Sequence, residues 1–187
     1  MMRDDPVALA GLLVRRLTHD LAGPVTAMAT LAALREADAL EEAALAELRD
    51  RLALFRAIFA GAPDGPVELA ETGALFARQA EGLTVELALD PAAAPARLRA
   101  GLALGLEARA LVAAGGRIVM TVAGSGAIRV DAAPLARELP AMLADACAGG
   151  AAGLSPHHAP AAFAAALAGP VRLDAQDRRL VLIVDPV

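Results

Sequence analysis

Leucines at helical spacing run through the first third of the chain and stop at a Gly-Pro break, and this division limits the fold more than any other feature. Leu9, Leu13, Leu17, Leu21, Met28 and Leu31 share one stripe, which predicts a helix over 4–34, capped by Asp4 or Asp5 with Pro6 in its first turn. A second stripe, Leu45, Leu48, Leu52, Phe55 and Phe59, predicts a helix over 38–60 with Asp38 as its cap. The link Arg35-Glu36-Ala37 is short enough to force an antiparallel hairpin. Gly61-Ala62-Pro63-Asp64-Gly65-Pro66 then breaks the pattern.

Beyond the break the periodicity changes. A helix is expected within 67–81, a strand at Thr84–Leu89 and a helix from Pro95 to Ala114, stopped by Gly115-Gly116. Arg117–Ala123 and Ala127–Val130 read as a hairpin turning at Gly124-Ser125-Gly126. Ala133–Ala148 and Pro156–Ala168 read as alanine-rich helices, and Val171–Ala175 with Arg179–Val184 as a second hairpin. The fold class is therefore α+β: a helical hairpin over 1–62 and a small domain over 66–187 with helices on one face of a sheet. Two helices apolar on one face leave half of that surface wet. The simplest closed solution is a four-helix bundle in a homodimer; the alternative is that the hairpin packs on its own second domain.

Composition removes several functions. The 187 residues contain no Lys, Asn, Trp or Tyr, all 17 basic residues are Arg, and the net charge is −5. Without Lys there is no phosphate-loop lysine, Schiff base or kinase-type ATP lysine. An acidic chain without Tyr or Trp lacks both the phosphate footprint and the stacking platforms of a nucleic-acid binder. A single cysteine, Cys147, rules out internal disulfides and thiolate zinc sites and suits a reducing cytoplasm. Charges interrupt every long apolar run, so neither a membrane span nor a signal peptide is expected.

One segment stands out: Arg16-Leu17-Thr18-His19-Asp20-Leu21-Ala22-Gly23-Pro24. With the stripe centred near Leu17, His19 points about 200° away, toward water. Pro24 lies inside the predicted helix, where proline ordinarily costs about 3 kcal/mol. An interior proline five residues after an exposed His-acid pair suggests a loosened backbone beside a reactive imidazole. Asp20 either holds the imidazole tautomer or is a solvated or interhelical charge; Arg16 either steers an anion or is an ordinary surface arginine. Wheel geometry places Arg15, Thr18, Ala22 and Thr26 around His19 as partner contacts. His157-His158 reads as the start of a helix after Ser155, not as a metal site, since no further ligand falls at the right spacing. Glu41, Glu42 and Glu47 read as a solvated face, and Ser125 and Ser155 sit at turns without a nucleophile context.

His19-Asp20-Leu21-x-x-Pro24 resembles the H box of histidine-kinase dimerisation helices. The longer run Arg16 to Met28 is closer to the ChpT-like bacterial histidine phosphotransferases, whose helix reads approximately R-L-C-H-D-L-x-S-P-x-x-A-I. Arg51–Ala60 is similar to that family's second-helix signature, and Leu154-Ser155-Pro156 through Gly169 to its last helix. Thr18 and Gly23 replace the family's frequent Cys and Ser, and Ala29-Thr30-Leu31 its usual Asn and Gly. The resemblance implies a dimeric hairpin bearing the phosphoacceptor His19, with Gly23 and Pro24 near the docking surface. It also implies a second domain shaped like a histidine-kinase ATPase domain that binds no nucleotide. The residues agree independently: the ATP fold of kinases holds Mg²⁺ through an asparagine, and the candidate helix Arg97–Val112, like the whole chain, has none. Gly124–Gly126 is most simply a hairpin turn.

An imidazole with its ordinary pKa of about 6.5 offers a ring nitrogen lone pair at neutral pH. The expected function is a phosphorelay step. His19 takes a phosphoryl group from a receiver-domain aspartate of a hybrid histidine kinase and passes it to a response regulator. No cofactor is expected on this chain, because the receiver brings the Mg²⁺. The alternative is a dimer that docks and sequesters a response regulator without turnover; a third reading, a sensor-kinase core that still binds ATP, requires labelling from ATP alone.

Overall fold

Two long helices open the chain in a computed structural model that describes residues 6–34, 38–60, 64–151 and 153–186. Helix α1 spans Pro6–Leu34 and α2 spans Asp38–Phe55, and they pack against each other as a hairpin. The expected caps Asp4 and Asp5, the link 35–37 and the start of the break at 61–63 lie outside the described residues. At its end α2 loosens into a π-helical turn, Arg56–Ala60. That turn buries Ile58 and sets the Phe59 ring between Phe55 and Phe163, with centroids 4.7 and 4.8 Å away. Edge-on and tilted aromatic pairs at this separation add to the packing their area supplies.

The rest of the chain forms one five-stranded sheet with helices on one face. After α3 (Leu69–Gln79), β1 (Thr84–Leu89) leads into α4 (Pro95–Arg109) and back to β2 (Val112–Val122), parallel to β1. Antiparallel β3 (Ile128–Leu135), the short α5 (Met142–Cys147), a 3₁₀ turn at Pro156–His158 and α6 (Ala159–Ala168) follow. The hairpin of β4 (Arg172–Gln176) and β5 (Arg179–Val184) ends the described chain. The strand order is β1-β2-β3-β5-β4. Alternation puts Ile118, Met120, Val122, Ile128, Val130, Ala132, Leu180, Leu182 and Val184 on the covered face, each buried. The open face carries charges such as Arg117, paired with Glu86, and Arg179, paired with Asp131.

Three expectations are corrected. The helix expected to Ala114 ends at Arg109, and β2 starts at Val112. Gly115-Gly116 is no helix stop but an irregularity in the β2–β3 ladder between Val112 and Arg117, with Gly115 at φ +75°. Glycine absorbs such a bulge without steric penalty. The helix expected at Ala133–Ala148 shrinks to Met142–Cys147, because β3 runs on to Leu135 and pairs it with Val112. Cross-strand pairing here outweighs the helix preference of alanine. Leu12, Leu54 and Ile58 of the hairpin belong to the same buried cluster as the sheet and α4 residues.

Between sheet and hairpin, α4 is the central helix, and residues 98–105 are all buried. It packs against α6, and both helices bury small side chains, Ala100, Ala103 and Ala108 in α4 and Ala161, Ala162 and Ala165 in α6. Gly101 faces the sheet, and a Cβ there would stand 2.5 Å from Val122 Cγ2. Gly101→Val should therefore destabilise the fold by about 2 kcal/mol, because overpacking outweighs the gain in helix propensity. Urea denaturation checks this, and an unchanged midpoint would contradict the packing.

Candidate functional site

Asp20 joins the charged groups of the first helix. Arg16 lies four residues earlier, one turn away on the same face, and its Nε donates to Asp20 Oδ2 at 2.7 Å. The other carboxylate oxygen, Oδ1, lies 3.2 Å from His19 Nδ1. A carboxylate only accepts, so Nδ1 carries the imidazole proton and Nε2 keeps its lone pair. The His19 side chain is 61% exposed, which leaves that nitrogen open to an approaching molecule.

Pro24 does not loosen the helix, which is continuous from Pro6 to Leu34. Its consequence is local. Proline has no N–H, so the carbonyl four residues earlier, that of Asp20, loses its helical donor. Arg51 of α2 supplies a replacement: its Nη1 donates to the Asp20 carbonyl at 3.0 Å, while its Nε and Nη2 hold Glu47 at 3.0 and 2.5 Å. An interior proline thus opens a docking point through which the second helix grips the first beside His19.

A third guanidinium comes from the end of α4. Arg109 donates to the Gln79 carbonyl at 2.5 Å and shares a small cavity with Arg16, Asp20, Arg51 and Gln79. Burial lowers the pKa of Arg109 from its ordinary value, the Asp20 charge opposes this, and Arg16 and Arg51 reinforce it. Arg16, Arg51 and Arg109 thus gather around Asp20, with Glu47 paired to Arg51 beside them.

The last member is His157, in the 3₁₀ turn before α6. Arg16 Nη1 donates to the His157 carbonyl at 3.2 Å and meets His157 Nδ1 at 3.3 Å. The ring stands edge-on to that of His19, with centroids 4.7 Å apart and planes at 81°. Burial first, then the nearby Arg16 guanidinium, lower the His157 pKa below its usual 6.5. Its neighbour His158 turns inward to Glu107, 2.8 Å away, and both are buried. Cys147 is buried as well; desolvation, and then the Glu107 charge, push its thiol up to about 12. Among the described residues no cluster of three His, Cys, Asp or Glu side chains could hold a metal.

The expected site residues separate into two groups. His19, Asp20, Ala22, Gly23 and Pro24 line one groove between α1 and α2, with Ala27, Glu47 and Arg51. Arg15, Thr18 and Thr26 are exposed outside it, and Thr18 donates its hydroxyl to the Val14 carbonyl of its own helix. Arg16 is buried, 6% exposed, and turned toward Asp20 and His157, so it positions rather than steers. Nor does His19 point directly away from the buried face. That face includes Leu12, Arg16 and Pro24, not a stripe centred on Leu17, so His19 lies at its rim. Arg51, Arg109 and His157 escaped the sequence reading as site residues. Pro24 was the available signal for Arg51, since it leaves a carbonyl in need of a donor; nothing in the order of residues brings 157 to 19.

No protein-family model and no curated protein matches the sequence. The structure is similar to a solved one, described as a bacterial phosphotransferase, over 99% of this chain and 98% of that one. The TM-score is 0.78 and the sequence identity 16%. The fold is phosphotransferase-like. Within this phosphotransferase-like fold the His19 groove and the 3₁₀ turn lie side by side, and no described helix is long and apolar enough to cross a membrane.

Two outcomes follow from this geometry. Arg51→Met removes the donor to the Asp20 carbonyl and should cost about 1 kcal/mol of stability. In a Pro24→Ala background, where the helix regains its own N–H donor, that loss should shrink; a double-mutant cycle with strictly additive losses would contradict the pairing. For His157, a folded pKa below the unfolded value means a contribution present above pH 6.5 and lost as pH falls through the folded value. Stability between neutral and mildly acid pH should therefore fall less steeply in His157→Gln than in the parent protein, as measured by thermal melts across that range.

Proposed function

We propose that this protein is a histidine phosphotransferase of a His-Asp phosphorelay, with His19 as the phosphoacceptor. The observation that carries the reading is the exposed imidazole whose Nδ1–H is taken by Asp20 Oδ1 at 3.2 Å, leaving Nε2 free in an open groove. The likeness to the solved bacterial phosphotransferase supports phosphotransfer as the class of chemistry.

In the proposed step, the Nε2 lone pair attacks the phosphorus of a receiver's aspartyl phosphate. The N–P bond forms as the P–O bond to the aspartate breaks, and the aspartate leaves as a carboxylate. The ring keeps its Nδ1 proton and so becomes cationic, a charge that Asp20 offsets. A second receiver's aspartate reverses the sequence by attacking phosphorus and returning the lone pair to Nε2. Such a loose transition state asks for in-line positioning and charge neutralisation more than for covalent machinery. Arg51 puts a guanidinium in the groove, and the Mg²⁺ is assigned to the receiver. The receivers are those of a hybrid histidine kinase and of response regulators, in a cytoplasmic setting.

The chain is proposed to work as a homodimer whose hairpins form a four-helix bundle. Val14 and Val25 of α1 are 62% and 51% exposed, with partly buried Leu21 between them at helical spacing. A second copy of the hairpin would cover this apolar row.

Phosphotransfer profiling tests the reading. At least one phosphorylated receiver from the source organism should label the protein, with acid-labile label, and His19→Ala should abolish labelling. Receiver binding that survives His19→Ala, with no phosphoprotein formed by the parent, would establish the docking alternative instead. Label acquired from ATP alone would overturn both.

A further inference from the structure

We infer that His157, contributed by the turn before α6, is a positioning residue for His19, so that the phosphoacceptor site is built from both ends of the chain. The inference rests on the reading of His19 as the phosphoacceptor and adds a second imidazole to that site.

The need for such a residue comes from helix geometry. Neighbouring residues on a helix diverge by about 100° and do not face each other. The His19–Asp20 contact at 3.2 Å therefore requires both side chains to lean together. Asp20 is drawn and held by Arg16 at 2.7 Å. On the His19 side, the wall that the structure provides is the His157 ring, edge-on at 4.7 Å. Rotating the His19 ring out of its contact with Asp20 would change this packing. The solvent-exposed imidazole is thus confined between a carboxylate that sets its tautomer and a second ring that sets its plane.

His157 is itself held firmly enough to serve. Its main-chain N–H is capped by the Ser155 hydroxyl at 3.4 Å, its carbonyl accepts from Arg16 at 3.2 Å, and its Nδ1 faces the same guanidinium at 3.3 Å. Arginine has no acceptor, so His157 Nδ1 is the acceptor and its proton is on Nε2. Arg16 therefore fastens both walls of the His19 slot, Asp20 through Nε and His157 through Nη1. Because the carbonyl contact belongs to the main chain, replacing the His157 side chain leaves the anchor between α1 and the turn in place. The ring is exposed, so its removal opens no core cavity.

Two variants of the full-length protein separate the ring from its nitrogens. His157→Ala removes the wall, and His157→Phe restores a ring without the Nδ1 acceptor. With a phosphorylated receiver as donor, His157→Ala should slow labelling of His19 about tenfold, the scale expected when a reacting group loses its orientation. His157→Phe should stay within about threefold of the parent on the same scale. The second readout needs no phosphate. In long-range ¹H–¹⁵N imidazole spectra of the unphosphorylated protein, above the ordinary imidazole pKa of about 6.5, the Nδ1–H tautomer of His19 should dominate. It should lose population in His157→Ala and recover it in His157→Phe. Unchanged labelling together with an unchanged tautomer in His157→Ala would overturn the inference. Slow labelling in both variants with an unchanged tautomer would overturn it too, marking His157 as a receiver contact. If no receiver labels the parent protein, the phosphotransfer reading fails, and the tautomer measurement still decides whether His157 orients His19.

Discussion

A buried arginine needs acceptors on every side that water would otherwise fill, and in this protein meeting that need organises the site. Arg16 is 6% exposed, and an unpaired guanidinium at that depth would be strongly destabilising. It finds one acceptor on its own helix, the Asp20 carboxylate, and two on the turn before α6, the carbonyl and Nδ1 of His157. The same side chain thereby orients the acid beside His19 and ties the first helix to the far end of the chain. Asp20 then has its second oxygen left for His19. The orientation of the exposed imidazole is inherited, through two contacts, from a buried group.

The apolar packing works in the same direction. Leu12 of α1, Leu54 of α2 and Ile58 of the π turn are sealed into the core that also holds Phe76, Met120 and Leu182. Phe59 bridges to Phe163 of α6, which packs against α4. The hairpin is therefore held on the sheet-bearing part by a continuous core, and the polar network at Arg16 fixes its register on that surface. What the core does not cover is the row Val14 and Val25, which is why the proposed second copy belongs there.

Legibility in the sequence followed the strength of local pattern. The helix α1 and the strands at Thr84–Leu89 and Arg179–Val184 stand where periodicity puts them, while the second helix, expected to residue 60, turns π-helical after Phe55. Alanine misled the reading elsewhere. Ala133 to Leu135 looked helical by propensity but forms the end of β3, because Leu135 has a strand partner in Val112. The Gly115-Gly116 pair has the local pattern of a helix stop and is a ladder irregularity, a distinction that only the neighbouring strand can make. Within the site, His19 and Asp20 were readable as an exposed pair on one helix, and Pro24 as an anomaly. That the anomaly is answered by Arg51 was not readable, since the donor comes from another helix.

What the sequence by itself determined is the chemistry available: one exposed imidazole beside one acid on an amphipathic helix, in a chain without the Lys or Asn that a nucleotide site of the kinase type would use. Those facts depend only on residue identity and on spacings of one to four positions, where helix geometry converts order into direction. The tertiary structure decided which nitrogen of His19 is free, which arginine is buried and which is in the groove, and that His157 stands beside residue 19. Those facts depend on contacts between residues 31 and 141 positions apart. Packing decides such contacts, because it brings together side chains whose order in the chain gives them no reason to meet.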